Sequence, residues 1–232
     1  MYHYTSRRQV WYGQNVRDPS AATAAKRPRR GSPADTRARL IAAAAAEINR
    51  VGYHGTDSNR IARAAGYAPG TFYKHFPDKQ TILLAAYERW VTGEWQAIEM
   101  TLRAGGRTQQ LARRIVELTL RLHRRWRGLR SSLLGLVTTD AGVRRFYRGQ
   151  RRRQLQMLND LRRAGRGPRT HSPEEDAVLL FTLERTCDAV ANGEIRDLGL
   201  GLAPTVAVLR NLVHRHLAHS SRTHRAPKRR GP

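Results

Sequence analysis

Apolar side chains recur at intervals of three and four residues along most of this chain, and that period predicts an all-α protein. We find no strand signal and no internal repeat in the sequence. The long predicted helices cover residues 33–51, 78–102, 108–127, 143–164, 172–192 and 204–219. A short helix is expected at 131–137, and the predicted turns and loops cover residues 138–142, 165–170 and 197–203.

Two of these helices begin with the same capping signature. Ser32-Pro33-Ala34-Asp35 and Ser172-Pro173-Glu174-Glu175 each place a serine before a proline and an acid three residues after the serine. The serine hydroxyl can accept a hydrogen bond from the third helical amide, and proline is favoured at the first helical position. The two signatures therefore mark helix N-termini.

The segment TDSNRIARAAGYAPGTFYKHFPDK, residues 56–79, predicts two short helices joined by a tight turn. Thr56 is a suitable N-cap for the first helix, and Gly66 can take the left-handed conformation that ends it. Phe72 and Phe76 lie four apart and can anchor the inner face of a second helix around Gly70–Phe76. The more exposed residues of that helix are Thr71, Tyr73, Lys74 and His75. This is the helix-turn-helix pattern, whose second helix enters the DNA major groove.

The same segment resembles the N-terminal domain of the tetracycline-repressor (TetR) family of bacterial transcription regulators. The matching residues are Ile61-Ala62, Ala65-Gly66, Gly70-Thr71-Phe72-Tyr73, His75-Phe76 and Asp78-Lys79. The resemblance extends back to about Pro33 and covers about one fifth of the chain. It implies a three-helix DNA-binding domain at 32–79, followed by a helical effector-binding and dimerisation domain at 80–219.

The resemblance also implies how such a protein works. Two protomers place their recognition helices in successive major grooves of a near-palindromic operator, with half-site centres roughly 34–36 Å apart or somewhat more. The helices at 172–192 and 204–219 correspond to the pair that forms a four-helix interface in a homodimer. A small-molecule effector releases the DNA through the helix that begins at Asp78, and repression is the commoner mode in the family.

Ten residues are candidates for DNA contact. Ser58, Tyr73, His75 and Lys79 match family positions that usually meet the phosphate backbone, and Arg37 near the start of the first helix could also reach a phosphate. Asn59, Pro69, Gly70, Thr71 and Lys74 match positions that lie over base edges. Lys74 could reach guanine, Asn59 could pair with adenine, and the Thr71 methyl could meet thymine. Ala68 departs from the family, which often has a serine cap there, and Asn59 replaces a longer polar or charged residue.

The net charge of +25 and pI of about 11.6 indicate a polyanionic partner. Residues 33–79 hold seven basic and four acidic side chains, a net of +3, so most of the excess lies elsewhere. Part of it lies in two basic tails: residues 1–31, which we expect to be disordered, and residues 220–232. The cluster Lys26–Arg30 is either an arm that tracks phosphates or the minor groove, or a solvated extension that reflects coding bias.

No residue identifies the effector. Trp90, Trp126, Tyr147 and Phe181 are candidates for lining an apolar pocket, although such residues are more often core. Arg113, Arg114 and Arg121 could attract an acidic ligand, or form a solvated face. Cys187 is more often a small buried hydrophobe than a redox sensor.

Two other functions compete with a specific regulator. A nonspecific DNA-binding or anionic-surface-binding protein, driven by the tails, is the first alternative. An enzyme is the more remote one, because His214, His216 and His219 form the sole metal-like spacing and residues two apart do not share a helix face. We therefore expect no catalytic residue, metal or cofactor.

The sequence also bears on where the protein acts. No apolar run approaches the ~20 residues of a membrane span, and residues 1–14 lack a continuous apolar segment. The lone cysteine excludes an internal disulfide. We therefore expect a cytoplasmic protein.

Overall fold

The computed structural model describes residues 32–165 and 171–219, with side chains described for 32–161 and 171–218. These residues form α-helices and no strand, so the predicted all-α class is confirmed. The helices are α1 Pro33–Val51, α2 Ser58–Ala64, α3 Pro69–Tyr73, α4 Lys79–Arg103, α5 Thr108–Arg125, α6 Arg127–Thr139, α7 Ala141–Gly165, α8 Pro173–Asn192, α9 Glu194–Asp197 and α10 Leu202–His219.

Both predicted capping signatures form. Ser32 Oγ accepts from Asp35 N at 3.2 Å while the Asp35 carboxylate accepts from Ser32 N, and Ser172 and Glu175 exchange the same pair of bonds. Each box satisfies two amides that the first helical turn leaves without a partner. The starts of α1 and α8 are therefore determined by adjacent residues.

The short helices differ in detail from the prediction. Asp57, and not Thr56, caps α2, because its carboxylate accepts from Arg60 N at 2.9 Å. Gly66 has a φ of 81°, as expected for the turn. The recognition helix α3 ends at Tyr73, earlier than the predicted Phe76, although the Phe76 amide still bonds the Phe72 carbonyl at 2.9 Å.

Helix α6 is longer than predicted, beginning at Arg127 instead of residue 131. Its first amides are satisfied by a residue from α1: Asn49 Oδ1 accepts from Gly128 N at 2.9 Å and from Leu129 N at 3.1 Å. A cap supplied from so far away in the chain leaves no local signal. The single turn of α9, which follows left-handed Gly193, was also missed, and it lies between the predicted end of α8 at 192 and the predicted turn at 197–203.

The core is continuous from the N-terminal helices into the second domain. Its N-terminal part contains Leu40, Ile48, Ile61 and Phe72, all with no exposed surface. Helix α4 extends this core and packs against α1, α5, α6 and α7, whereas α8 and α10 pack against α5 and each other. Expectations for residues 1–31, including Lys26–Arg30, and for 166–170 and 220–232 concern residues outside the described ones.

Candidate nucleic-acid interface

Two buried aromatic rings hold α3 in place. Phe72 and Phe76 are 0% and 1% exposed, and their ring centroids lie 5.9 Å apart. On the opposite side, Tyr73 is 57% exposed and Lys74 is also exposed, while Thr71 and His75 are half-buried. The Tyr73 hydroxyl and the Lys74 ammonium therefore face solvent, while the buried Phe72 and Phe76 rings hold the helix in place.

The other candidate contact residues surround α3. Gly70 is exposed, and a Cβ there would meet nothing within 4 Å, so its backbone is open to a close approach. Asn59 is exposed and Ser58 half-buried in the first turn of α2. The Arg37 guanidinium lies 4.9 Å from the Phe76 ring centroid, which places it against the base of the recognition helix. Pro69 is half-buried in the first turn of α3.

Lys79 has a structural partner set that the sequence did not predict. Its Nζ donates to Tyr53 O at 2.7 Å and Thr56 O at 2.8 Å, and it lies 4.2 Å from the Tyr53 ring centroid. Partial burial lowers the pKa of its ammonium. Lys79 thus fastens the start of α4 to the α1–α2 loop, and the side chain remains half-exposed.

A second set of bonds joins α1 to the second domain. Besides capping α6, Asn49 donates through Nδ2 to Arg125 O at 2.9 Å, so its amide bridges the end of α5 and the start of α6. Ser132 of α6 accepts from Tyr53 N at 3.0 Å. A Cβ at Gly128 would lie 2.1 Å from Asn49 O, which shows how closely the two helices cross.

Two residues beyond that crossing, at Arg130, α6 enters a cluster of charged side chains in the interior of the second domain. We call it the interior polar cluster, and its members are Glu94, His123, Arg130, Arg151, Glu184 and Asp188. Arg130 donates to Asp188 Oδ1 at 2.6 Å, to Glu184 Oε2 at 2.9 Å and to the Tyr87 hydroxyl at 3.1 Å. Arg151 also donates to Glu184, and His123 Nδ1 lies 2.9 Å from Asp188 Oδ1.

Two carboxylates of the cluster are stabilised by cations. Burial opposes ionisation of Glu184, but Arg130 and Arg151 outweigh it and hold its pKa below the usual range. Burial likewise opposes ionisation of Asp188, and His123 and Arg130 outweigh it, so its pKa is also lowered. These carboxylates are therefore charged, and the His123 Nδ1–H donates to Asp188.

Glu94 is the exception. Its side chain is 6% exposed, and its nearest cluster partner is His123 Nε2, at 3.7 Å, beyond hydrogen-bond distance. Burial, reinforced by the charge of Glu184, raises the pKa of Glu94 to about 8. Several other buried polar atoms of this interior lack a hydrogen-bond partner among the described residues, namely Trp90 Nε1, Thr119 Oγ1, His123 Nε2 and Arg151 Nε.

The sequence did not predict this cluster. The available signal was weak: Glu94, His123 and Arg130 are ionisable residues on the apolar faces of their helices. Burial of a charge along an apolar face is unusual unless it is paired. Their partners on α8 lie 54 or more positions away in the chain, so the pairing itself has no local pattern.

Three of the four proposed pocket residues contact members of the interior polar cluster. Trp90 is 7% exposed and borders the cluster, with its ring centroid 5.8 Å from that of His123. The Tyr147 hydroxyl accepts from Arg151. Phe181 is 52% exposed on α8, and Trp126 is half-buried at the start of α6. Tyr147 and Phe181 both lie against Arg151, whose guanidinium carbon is 4.6 Å from the Tyr147 ring centroid and 5.8 Å from that of Phe181.

The remaining candidates have simple environments. Cys187 is fully buried, and burial raises the pKa of its thiol, which disfavours the reactive thiolate. Arg113, Arg114 and Arg121 are exposed along α5. The His216 ring stacks on that of His171 with centroids 4.0 Å apart and contacts Asp176 Oδ1 at 3.0 Å, so it ties α10 to the start of α8.

Side-chain clusters and helix lengths in the described residues bear on other functions. No group of three or more His, Cys, Asp or Glu side chains there is arranged to hold a metal ion. Within the same ranges, no helix combines the length and the apolar character required to cross a bilayer.

Comparison with known proteins decides the family of the N-terminal helices. A family model described as bacterial regulatory proteins, tetR family, matches residues 40–86. That range contains most of α1, all of α2 and α3, and the first two turns of α4. The N-terminal domain is that of the TetR family. The resemblance noted in the sequence is thereby confirmed.

Solved structures of other regulators share the fold of nearly the whole described chain. A TetR-family regulator assigned in Rhodococcus sp. covers 81% of this chain and 98% of its own, at 16% identity and a TM-score of 0.63. The fatty acid degradation regulator FadR from Bacillus halodurans covers 80% and 96%, at 19% identity and a TM-score of 0.58. A protein from Saccharomonospora viridis, assigned as a transcriptional regulator and solved with choline, covers 80% and 97%, at 24% identity and a TM-score of 0.60.

No curated protein has a significant sequence match to this chain. The family model and the similar structures nevertheless agree on one architecture: a TetR helix-turn-helix domain followed by a helical second domain. This is the fold of DNA-binding transcription regulators.

Proposed function

We propose that this TetR-family chain is a repressor that binds a near-palindromic operator as a homodimer and leaves it when a small molecule binds. The observation that carries the proposal is the arrangement of α3, where Tyr73 and Lys74 face solvent above the buried Phe72 and Phe76 rings. Any amphipathic surface helix would bury one face in this way, so the buried rings by themselves do not indicate DNA binding. Gly70 with an open backbone, on the same helix, adds the close approach that reading a groove requires.

The test is selection of bound sequences from random duplex DNA by the full-length protein. We expect one enriched near-palindrome with half-site centres roughly 34–36 Å apart or slightly more. The selection is repeated with protein lacking residues 1–31 and 220–232. Recovery of the same palindrome without the tails supports the operator proposal, whereas binding that needs only the tails supports a nonspecific DNA-binding protein.

Substitutions on α3 should separate positioning from base reading. We expect Tyr73→Ala to weaken binding to operator and unrelated duplex alike, because a phosphate contact has no sequence information. Lys74→Ala should instead reduce discrimination between the operator and its single-base variants by about 1–3 kcal/mol at one position, because a lysine contact to a guanine edge is lost. Competition binding with a panel of operator variants measures both effects.

Lys79→Ala should be tested in the same competition assay and, in addition, for its melting temperature. Its ammonium binds two backbone carbonyls, so its removal should lower thermal stability as well as DNA affinity. Arg39→Ala is a suitable control, because Arg39 is exposed on α1 and is not among the proposed contacts. Equal affinity and equal discrimination in all four variants would contradict this docking of α3.

We propose that α8 and α10 form the dimer interface. Apolar side chains on both helices face solvent in the single chain: Val178 is 65% exposed and Phe181 52% on α8, and Val208 is 59% exposed on α10. A groove of about 530 Å³ between the two helices adds Leu179 and Leu212 to this surface. Contiguous apolar surface of this kind is typical of an interface.

Charges on that face should separate the protomers. We expect the Val178→Asp/Val208→Asp variant to sediment as a monomer at micromolar concentration where the unchanged protein is a dimer, because each dimer would bury four carboxylates without partners. Met100→Asp is the control, since Met100 is 54% exposed on α4. A dimer that persists in the double variant and dissociates in the control places the interface elsewhere.

We propose that the effector acts through the interior polar cluster. Glu94, His123 Nε2 and Trp90 Nε1 are buried groups without a hydrogen-bond partner among the described residues, and a ligand with complementary groups would satisfy them. Arg130 connects that interior to the first turns of α6, which Asn49 of α1 caps. A ligand that displaces Arg130 would thereby disturb the contact between α1 and the start of α6, which positions the DNA-binding domain.

A compound screen tests this effector proposal. An effector that binds the folded protein must raise its melting temperature. It must also weaken operator binding, because a ligand that prefers the DNA-free form shifts the equilibrium away from the DNA-bound form. Choline is our first probe, because one protein of similar fold holds it. A compound that acts equally on the Glu94→Gln and Trp90→Phe variants would bind outside the cluster.

A further inference from the structure

The first turns of α7 hold arginines that have no acidic partner. Arg145 and Arg148 are exposed, and within the residues whose side chains are described neither forms an ion pair. Arg151 and Arg153, farther along the same helix, both pair with carboxylates of neighbouring helices. The two unpaired arginines are therefore cations with no assigned structural role.

Arg145 lies beside the N-terminus of α4. Gln80, the second residue of α4, donates to Asp140 Oδ1 at 3.3 Å just before α7 begins. A Cβ on Gly142 would lie 3.1 Å from Asp140 Oδ1, 3.7 Å from Gln80 Nε2 and 3.9 Å from Arg145 Nη2, although Asp140 and Arg145 form no ion pair among the described side chains. The guanidinium of Arg145 and the start of α4, with Lys79, therefore occupy one corner of the molecule.

The acids of this corner are occupied by backbone amides. Asp78 Oδ1 accepts from Thr81 N at 2.6 Å, and Asp140 Oδ1 accepts from Val143 N at 2.7 Å. Each acid is the N-cap of a helix and compensates the positive end of that helix. The exposed guanidinium groups are left to interact with an external anion.

Helix α7 then runs parallel to α4, away from this corner. Its middle contacts Glu88, through Gln150 at 3.3 Å and Arg153 at 3.1 Å, and its later part shares a groove with Glu99. Arginines beyond Arg148 are thus progressively farther from the start of α4, at about 1.5 Å per residue.

We propose that Arg145 and Arg148 extend the DNA interface into the second domain by contacting phosphates that flank each half-site. The inference rests on the proposed function, in which the start of α4 faces the DNA backbone. Positive charge on a surface continuous with that interface matches the charge of the duplex. These contacts supply affinity without sequence preference, and they give a role to basic residues outside the helix-turn-helix domain.

The salt dependence of operator binding tests the inference. The full-length Arg145→Ala/Arg148→Ala variant is titrated with the selected operator, carrying several flanking base pairs, between 50 and 200 mM salt. Each lost phosphate contact should reduce the slope of log affinity against log salt by about 0.9, so by up to about 3.6 for four arginines in a dimer. Affinity at the lowest salt should fall by about tenfold or more, equally for operator and unrelated duplex.

Arg152→Ala is the matched control. Arg152 is exposed on the same helix and forms no ion pair among the described side chains, but it lies seven residues, roughly 10 Å, beyond Arg145. We expect the slope of log affinity against log salt for Arg152→Ala to equal that of the unchanged protein. Removing the flanking base pairs should lower the slope of the unchanged protein and leave that of the double variant unaltered.

The possible results separate this inference from the proposed function. Unchanged slopes in the double variant, or an equal reduction in Arg152→Ala, overturn the flanking contacts while specific operator binding stands. If the unchanged protein selects no operator, the proposed function fails first. Melting temperatures within experimental error of the unchanged protein, as expected for exposed side chains, exclude an effect through unfolding.

Discussion

Replacing Arg130 with methionine should lower the free energy of unfolding by about 3–5 kcal/mol, one of the largest effects expected from a single substitution here. The guanidinium is 4% exposed and donates to Asp188, Glu184 and Tyr87. Its removal leaves two buried carboxylates with less compensating charge. Methionine fills similar space, so loss of packing is a minor part of the cost.

Denaturant unfolding at pH 7 and fixed protomer concentration measures the effect, since dimerisation couples stability to concentration. Arg153→Met is the control: its ion pair with Glu88 is 60% and 52% exposed, and such pairs contribute at most about 1 kcal/mol. The loss of unfolding free energy in Arg130→Met should become smaller as the pH is lowered, because protonation of Glu184 and Asp188 removes their uncompensated charge. A deficit that is small, or the same at pH 5 and pH 7, would contradict this account of the cluster.

The features predictable from the sequence are those determined by neighbouring residues. The capping boxes at Ser32 and Ser172, the left-handed Gly66 and the buried pair Phe72–Phe76 each depend on residues at most four positions apart. Most of the helix-turn-helix domain is of this kind. Its family resemblance could therefore be read directly from one short segment.

The features that sequence reasoning missed depend on distant residues. The early start of α6 requires Asn49 from α1, and the two carbonyls that Lys79 binds belong to residues 23 and 26 positions earlier. Arg130 and its partners Glu184 and Asp188 meet only after α6 and α8 pack. No periodicity records such contacts, because an ionisable residue on the apolar face of a helix does not indicate which distant residue will pair with it.

The apolar helix α8 lies between these cases. Residues 177–181, AVLLF, are apolar on nearly every side of the helix, a pattern that predicts burial on both faces. Val178 and Phe181 are nevertheless more than half exposed in the single chain. One chain can cover only the face that meets the core. The prediction of apolarity was local, whereas the surface that would cover the other face belongs to another molecule in our proposal.

The second large effect concerns Glu94 and the pH dependence of stability. Burial raises the pKa of this carboxyl to about 8 in the folded chain, against an ordinary value of 4.5. Between these two values the folded state holds a proton that the unfolded state has released. The contribution of Glu94 to stability is therefore fully present below about pH 4.5 and is lost as the pH rises through 8.

Glu94→Gln removes this titration, so its stability relative to the unchanged protein should rise steadily from pH 4.5 to 8 and then level off. The upper limit of the gain is about 4–5 kcal/mol, because one pH unit of pKa difference corresponds to about 1.36 kcal/mol. Unfolding free energies at several pH values in this range provide the measurement. Glu88→Gln, the same change at a half-exposed position of α4, should give a nearly constant difference of under about 1 kcal/mol. Parallel stability curves for Glu94→Gln and the unchanged protein would mean that Glu94 is ionised at neutral pH. In that case the proton held in the folded state would be absent, and the effector proposal would have to treat Glu94 as a fixed negative charge.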